Sequence, residues 1–211
     1  MAGFLVAGEE EDKRLDTAAV MFEEVMGIAD KAIPQDLLDK AECAVLVPGL
    51  KKGAFIFGAK YGRGFVLCRK KDAGWSAPGA VRVEGGSFGL QIGGSETDVI
   101  MLVMNQRGVS RLLSSKFTVG ADASAAAGPV GRTAAAETDA TMRAEILTWS
   151  RSRGVFAGIS LQGATLRPDK DAIKGLYGKS LLNKDIVTGN VAAPKPAAKL
   201  LALLNKYSSR K

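Results

Sequence analysis

Apolar residues follow two different spacings along the chain, and the change from one to the other predicts where strands and helices lie. The central stretch Gly85–Asn105 holds two short apolar runs, Ser87–Ile92 and Thr97–Met104, separated by the linker GGSE. Short apolar runs bracketed by glycines are typical of strands joined in a hairpin. Val99–Met104 shows no polar alternation, which indicates a strand covered on both faces at the centre of the fold.

The ends of the chain instead show apolar residues three to four positions apart, which is the spacing of helices. An amphipathic helix with an acidic polar face is predicted over Lys13–Ala29, and we expect it to pack on the rest of the protein. Pro34–Lys40 suits a short helix, and Asn105 is placed to cap a helix over Gln106–Ser114. Further helices are predicted over Asp169–Tyr177, over Ser180–Ile186 and, after the segment Ala192–Pro196, up to Tyr207.

Between these ends the chain consists mostly of short apolar runs and glycine. Cys43–Val47 predicts a buried strand that Pro48 stops, and the runs AFIF and FVLC flank a glycine-rich bend over Gly58–Gly64. Two more strands are predicted over Glu145–Arg151 and Gly154–Leu166. Strands in the middle and helices at both ends indicate an α+β fold. We expect a bent, mainly antiparallel, glycine-rich sheet or partial barrel.

A stretch rich in alanine and glycine, GADASAAAGPVGR (Gly120–Arg132), shows no clear period. We expect its small side chains to pack tightly against the sheet, with Arg132 anchored at its end.

The 211 residues are interpreted as one domain with three parts. These are an acidic helix within residues 1–32, a β-rich core over 33–190, and a Pro/Ala linker with a basic helix over 191–211. No apolar run reaches the ~18 residues that a membrane span needs. Met1–Gly8 is apolar but is followed by acids, so it is not a complete signal peptide. The compartment stays open: periplasmic or membrane-associated if an export signal was removed, and otherwise cytoplasmic.

Charge is divided unevenly along the chain. Residues 1–42 carry 11 acids and 4 bases, and residues 43–211 carry 11 acids and 25 bases, so the net charges of −7 and +14 sum to +7. We expect the acidic segment to lie against the basic body or to shield part of it. A basic body favours anionic partners such as phospholipid headgroups, nucleic acid or an acidic protein surface.

The densest run of bases lies around the predicted glycine-rich bend. It is interpreted either as a set of solvated turns or as an anion-binding patch, because lysine and arginine on loops make charge-assisted contacts to phosphate. If the flanking strands pair, the two outer clusters should converge at one end of the sheet, and Lys60 and Arg63 should lie at the other. Tyr61, Phe65 and Trp75 nearby are expected in the core. The candidate site residues are Lys51, Lys52, Lys60, Arg63, Arg69, Lys70 and Lys71.

Several chemistries are disfavoured by what the chain lacks. It contains no histidine, which removes the commonest general base and metal ligand, and no GxSxG motif for a hydrolase triad. The glycine-rich stretch lacks the spacing of a phosphate loop, and no RNA-binding aromatic motif occurs. We therefore expect no enzyme, no cofactor, no metal and no nucleic-acid partner. For Cys43 and Cys68, two buried inert thiols are favoured, with a disulfide between neighbouring strands as the alternative.

Several stretches, in one order, resemble the SYLF family, also called the Ysc84 actin-binding or lipid-binding SYLF domain. The resemblance covers about residues 25–190. The matching stretches are IPQDLLDKAECAVLVP, KKGAFIFGAKYGRGFVLCR, WSAPGAV, GGSFGLQIGGSETDVIMLVMN, GADASAAAGPVGR, SRSRGVFAGISLQGATL and LYGKSLLNKDIVTG.

The resemblance implies a non-enzymatic lipid-binding module that contacts anionic phospholipid or phosphoinositide headgroups through the basic patch. The alternative is a protein-interaction module, similar to actin-binding members, or a structural module with incidental lipid contact. The expected partners are a peripheral anionic membrane surface and an acidic protein or filament. Relatives carry a basic amphipathic N-terminal helix, where this chain has the acidic GEEEDKRLD. No SH3 or FYVE domain occurs in these residues, which the resemblance associates with a stand-alone bacterial member.

Overall fold

A computed structural model describes residues 2–28, 32–54, 57–70, 74–88, 93–131, 143–152, 155–158, 161 and 163–208. The helices are α1 (Ala2–Gly27), α2 (Gln35–Lys40), α3 (Gln106–Leu112), α4 (Lys170–Tyr177), α5 (Asn183–Thr188) and α6 (Ala198–Tyr207), with a 3-10 turn over Lys195–Ala197 before α6. The strands are β1 (Cys43–Ala54), β2 (Phe57–Cys68), β3 (Gly79–Phe88), β4 (Gly93–Val103), β5 (Phe117–Thr118), β6 (Ala125–Ala127), β7 (Ile146–Ser152), β8 (Val155–Gly158) and β9 (Thr165–Pro168).

These strands form a single curled sheet with the order β5-β9-β3-β2-β1-β4-β7-β6, and β8 also pairs with β7. The described pairings are antiparallel except that of β6 with β7. Helices from both ends of the chain complete the fold. The predicted α+β class with a bent, mainly antiparallel sheet is therefore confirmed. Of the described helices, none has both the length and the apolar character required to cross a bilayer.

The centre of the sheet is covered on both faces, as the uninterrupted apolar run predicted. Val99–Val103 in β4 are each at most 2% exposed, and Cys43–Val47 in the neighbouring β1 are at most 1% exposed. Helix α1 contacts β1, β2, α4 and α6, and buries Leu15, Phe22 and Val25. The expected packing of the acidic helix on the body is confirmed.

The predicted hairpin between the two central runs is wrong. Strand β3 pairs with β2 and β9, whereas β4 pairs with β1 and β7, so two strands separate them. Strands β1, β2 and β3 follow one another, and β4 returns beside β1, which is a Greek-key order. The two glycines of the GGSE linker already belong to β4, so they do not form a turn. Residues 89–92 of the predicted first strand lie outside the described residues.

Strand β1 does not stop at Pro48, contrary to expectation. Its pairing shifts register between Leu46 and Lys51, and such a bulge accommodates a proline that cannot donate to the ladder. The Asp98 carboxylate accepts a hydrogen bond from the Gly49 amide at 2.9 Å within this bulge. A Cβ at Gly64 would lie 2.1 Å from the Leu46 carbonyl oxygen. The glycines expected to bend the chain therefore lie inside β2, where they allow β1 to approach.

Two further expectations on the strands changed. The predicted strand Gly154–Leu166 is divided into β8 and β9. Cys43 and Cys68 lie directly opposite each other in the β1–β2 register and form a disulfide, with their Cα atoms 4.0 Å apart. The favoured interpretation of two free thiols is therefore wrong. Burial alone does not show whether two strand cysteines are partners, because that depends on register.

The alanine-rich stretch contributes β6 and packs against β7. The indole N–H of Trp149 donates to the Pro129 carbonyl at 2.9 Å, and a Cβ at Gly128 would lie 2.0 Å from the same ring. The expected tight packing of this stretch is found at Gly128, whereas Ala125 is only half-buried. Arg132 lies outside the described residues.

We predict that Val103→Asp destabilises the fold by several kcal/mol, because it places an unpaired charge in the buried central strand. Thermal and urea unfolding measure the change. Val155→Asp is the matched control, since Val155 is 67% exposed and should tolerate the same substitution. Equal stability of the two variants would contradict the central position of β4.

We also predict that Gly128→Ala lowers the free energy of unfolding by roughly 1–3 kcal/mol, because its methyl group overlaps the Trp149 ring. The control is Gly27→Ala at the end of α1, where a Cβ meets no atom within 4 Å. Urea unfolding should show loss of stability only for the first variant.

Candidate functional site

The β1–β2 hairpin fixes where the candidate bases lie. Lys51 pairs with Tyr61 and Lys52 with Lys60. These bases thus share one end of the hairpin, while Arg69 and Lys70 follow β2 at the other. Eight residues of extended chain separate Lys60 from Cys68, or about 26 Å. The expected convergence of both outer clusters is wrong, because β1 continues through Pro48 and carries its lysines toward the hairpin tip. Lys71 lies outside the described residues.

Lys52 and Lys60 occupy directly opposed register positions, and we call them the lysine pair. Ser95 on β4 and Gly85 on β3 complete their row across four strands, and neither is acidic. Like charges directly opposite each other destabilise a sheet.

Lys51 lies in the next row, with its side chain exposed. Glu96 of β4 is its register partner on one side and Tyr61 of β2 on the other. Tyr61 is 50% exposed, so its expected place in the core is wrong, whereas Phe65 and Trp75 are buried as expected. Lys51 therefore has a carboxylate and an exposed aromatic ring as its register neighbours.

Arg63 points to α1, and its guanidinium binds carboxylates of the protein itself. Its Nε donates to Asp169 at 2.5 Å, and its other nitrogens lie 3.4 Å from Glu11 and 3.9 Å from Glu10. The hydrogen bond to Asp169 is the largest cause that raises the pKa of Arg63. Glu11 of α1 is only 2% exposed, so Arg63 and Arg14 together compensate a buried carboxylate. Among the candidate bases, Arg63 therefore has a structural role in this fold.

Asp169 accepts the hydrogen bond that Arg63 donates. Burial alone raises the pKa of Asp169, but hydrogen bonds from Arg63 and the Ala172 amide, with the charges of Arg63 and Arg82, bring the net pKa below its usual range. Asp169 also caps α4 through its bond from Ala172 at 3.2 Å. The Asp169 carboxylate thus links α4 to Arg63 of β2, and Arg63 in turn contacts Glu10 and Glu11 of α1.

A second arginine holds the opposite end of α1. Arg151 on β7 donates to Asp98 at 2.9 and 2.7 Å and also to Glu24 of α1. Burial alone lowers the pKa of Arg151, and the hydrogen bonds to Glu24 and Asp98 more than offset that effect. The acidic helix therefore lies against the basic body, as its charge predicted. In this docked position Leu15 and Phe22 face the core and cannot enter a membrane.

Arg69 forms what we call the Arg69 clamp, together with Trp75 and Ser208. Its guanidinium lies 4.2 Å from the Trp75 ring centroid and donates to the carbonyls of Ser208 and, at 2.9 Å, Leu38. The Trp75 N–H donates to the Ser208 hydroxyl at 3.1 Å. The end of β2 is thereby joined to α2 and to the end of α6. Sequence reasoning missed this role, since the partners are backbone carbonyls distant in sequence.

Fold and surface together define a class of protein: an α+β domain in which Arg63, Arg69 and Arg151 bind groups of the protein itself. The model of the Ysc84 family, described as "Las17-binding protein actin regulator", matches residues 84–207, more than half of the chain. The chain belongs to the Ysc84 family, which confirms the resemblance seen in the sequence.

Similar proteins share this stretch with additional sequence of their own. The chain is 36% identical over 180 residues to an SH3 domain-containing protein of Schizosaccharomyces pombe, covering 84% of this chain and 42% of that protein. It is 32% identical to Protein YSC84 of Saccharomyces cerevisiae, covering 83% and 38%. It is 30% identical to the human SH3 domain-containing YSC84-like protein 1, covering 86% and 53%. The chain thus spans about half or less of these relatives. The family description favours the protein-interaction alternative over the lipid-binding interpretation.

We predict that Asp169→Asn lowers the free energy of unfolding by about 1–3 kcal/mol near neutral pH, because it removes the charge that Arg63 binds. Asparagine retains the helix cap, so the change isolates the ion pair. Because the folded-state pKa of Asp169 is lowered, its stabilisation is complete above its unfolded pKa of about 3.9 and is lost as pH falls through the folded value.

Urea unfolding from pH 2 to 7 should therefore show the wild type and the Asp169→Asn variant converging only in acid, below about pH 4. Asp171→Asn is the matched control, because Asp171 is exposed in the same helix. If the wild type were still more stable than the Asp169→Asn variant by the same free energy at the lowest pH, the ion-pair assignment would be contradicted.

Proposed function

We propose that this domain is a non-enzymatic interaction module that binds an acidic protein surface in actin regulation. The observation that carries the proposal is the lysine pair, in which Lys52 and Lys60 are directly opposed at one end of the β1–β2 hairpin. Lys51 occupies the preceding position of β1, which the alternation of a strand places on the opposite face of the sheet, so it does not belong to the lysine pair. An acidic surface on a partner is the chemistry that offsets this concentration of charge.

The proposal narrows the candidate patch to the lysine pair. Arg63 and Arg69 already bind groups of the protein itself, so recruiting them would break the α1 contacts or the Arg69 clamp. Lys70 lies at the far end of β2, too distant to contact the same small partner surface. Lysine also suits this use, because its flexible, strongly hydrated ammonium adapts to many acidic surfaces.

The family description supports a protein partner. It names Las17 binding and actin regulation, and the yeast relatives include one named LAS seventeen-binding protein 3. We extend that role to this chain by proposing actin filaments as the acidic partner. Two lysines at about 0.2–1 kcal/mol each give only modest attraction, so strong salt dependence is expected.

Anionic phospholipid or phosphoinositide headgroups are the second candidate partner at this end of the hairpin, where Lys51 and Tyr61 form the neighbouring row on the other face of the sheet. The observation that favours them is Tyr61, half-exposed and the register partner of Lys51. Tyrosine is suited to a membrane interface, where its ring contacts the apolar side and its hydroxyl stays hydrated. Lysines near an anionic membrane contribute about 1 kcal/mol each. In this case the domain would associate peripherally with the bilayer.

We predict that the double variant Lys52→Glu/Lys60→Glu weakens binding to actin filaments about tenfold, because two attractive charges become repulsive. Co-sedimentation at low and high salt measures the effect, with folding checked by circular dichroism. The matched control is Lys179→Glu/Lys184→Glu, which changes the net charge equally at two exposed lysines outside the hairpin.

Liposomes containing anionic phospholipid, tested in parallel, separate the two candidates. Loss of filament binding alone supports the protein partner, and loss of liposome binding alone supports the membrane. If the hairpin variant binds both as the control does, the lysine pair is only part of a solvated face and the proposal is wrong.

A further inference from the structure

The end of the sheet opposite the lysine pair combines a disulfide, a cavity and the Arg69 clamp, which the proposed function does not use. Cys43 and Cys68 line a cavity of about 270 Å³ together with Arg69, Lys70 and Glu42. Cys68 is 5% exposed and Cys43 is fully buried. A small reagent in the cavity would therefore meet Cys68 first.

The residue after Cys68 is Arg69, so the disulfide and the clamp are adjacent in the chain. The ladder between β1 and β2 ends at the Cys43–Cys68 pair, and beyond it the Arg69 amide donates to the Glu42 carbonyl at 2.8 Å. The disulfide is the covalent link at this end of the ladder. Terminal pairs of a ladder open more readily than central ones, so this link limits the motion of Arg69.

We propose that the Cys43–Cys68 disulfide is a thiol-sensitive switch that sets how firmly α2 and α6 are held by the Arg69 clamp. This inference is independent of the proposed function. The reductant is a small anionic thiol of the glutathione class, which the exposed Lys70 at the rim attracts into the cavity. In the oxidised state the clamp is held; in the reduced state the end of β2 opens and the clamp loosens.

The exchange proceeds in two balanced steps. A glutathione thiolate attacks the Cys68 sulfur, the protein S–S bond breaks, and Cys43 leaves as a thiolate that takes up a proton. A second glutathione thiolate attacks the mixed disulfide at the glutathione sulfur, releases Cys68 as a thiol and leaves as glutathione disulfide. Two electrons and two protons pass from the two glutathione thiols to the two protein cysteines.

The test uses the whole chain in glutathione buffers ranging from oxidised to reduced. Alkylation followed by mass spectrometry counts free thiols, and hydrogen exchange follows peptides from α2, α6 and β4. We expect both cysteines to become alkylated in the folded protein, with exchange in α2 and α6 at least about tenfold faster and β4 unchanged. Resistance of the native disulfide to glutathione, or unchanged exchange in α6 after reduction, would overturn the proposal. Faster exchange in β4 as well would also overturn it, because that result means general destabilisation.

Two variants sharpen the test. Lys70→Glu should slow reduction by glutathione several-fold and leave reduction by a neutral thiol unchanged; equal slowing of both contradicts the charge-guided entry. Cys43→Ser/Cys68→Ser should reproduce the exchange of the reduced protein without any reductant. If this variant does not fold, the measurements on reduced wild-type protein decide the question.

Discussion

The pairing of β1 with β2 determines the arrangement of most other parts of the molecule. Its bulge between Leu46 and Lys51 requires the backbone of β1 to lie almost against β2, and Gly64 permits this because a Cβ there would overlap the Leu46 carbonyl. The resulting register joins the two cysteines at one end and opposes Lys52 and Lys60 at the other. It also aims Arg63 at the underside of α1. A change of one residue in this register would invert the faces of β2 and displace all of these contacts.

The two kinds of basic side chain have different uses in this fold. Arg63, Arg69 and Arg151 each join two or more segments through several hydrogen bonds or ion pairs at once. A planar guanidinium suits that role, because its donors have fixed directions and it is only weakly hydrated. Lysines such as Lys51, Lys179 and Lys184, by contrast, have exposed side chains. A count of bases along the sequence therefore overstates the charge that is offered to a partner.

Local features of the fold could be predicted from the sequence, and features that depend on distant pairing could not. The cap at Asn105, the buried run Val99–Val103 and the apolar side of α1 follow from short-range chemistry, and the structure contains them. Strand order does not follow from such patterns. The error over Pro48 had the largest effect on the site, because ending β1 there placed Lys51 and Lys52 at the wrong end of the sheet. A proline is compatible with a strand at a bulge, and no local sequence pattern predicts the bulge at this position.

The Greek-key order also has a consequence for how the chain folds. Strand β4 pairs with β1, yet 38 residues and two other strands intervene between them in the sequence. During synthesis, β1, β2 and β3 can pair in succession, but one edge of β1 stays open until β4 arrives. The apolar run that ends as the most protected strand must first pass through a state in which it is unpaired. Long-range strand pairing of this kind is slow, and until it is complete it leaves an unpaired strand edge that is prone to aggregate. Folding of this domain should therefore be most vulnerable to aggregation just before its centre is completed.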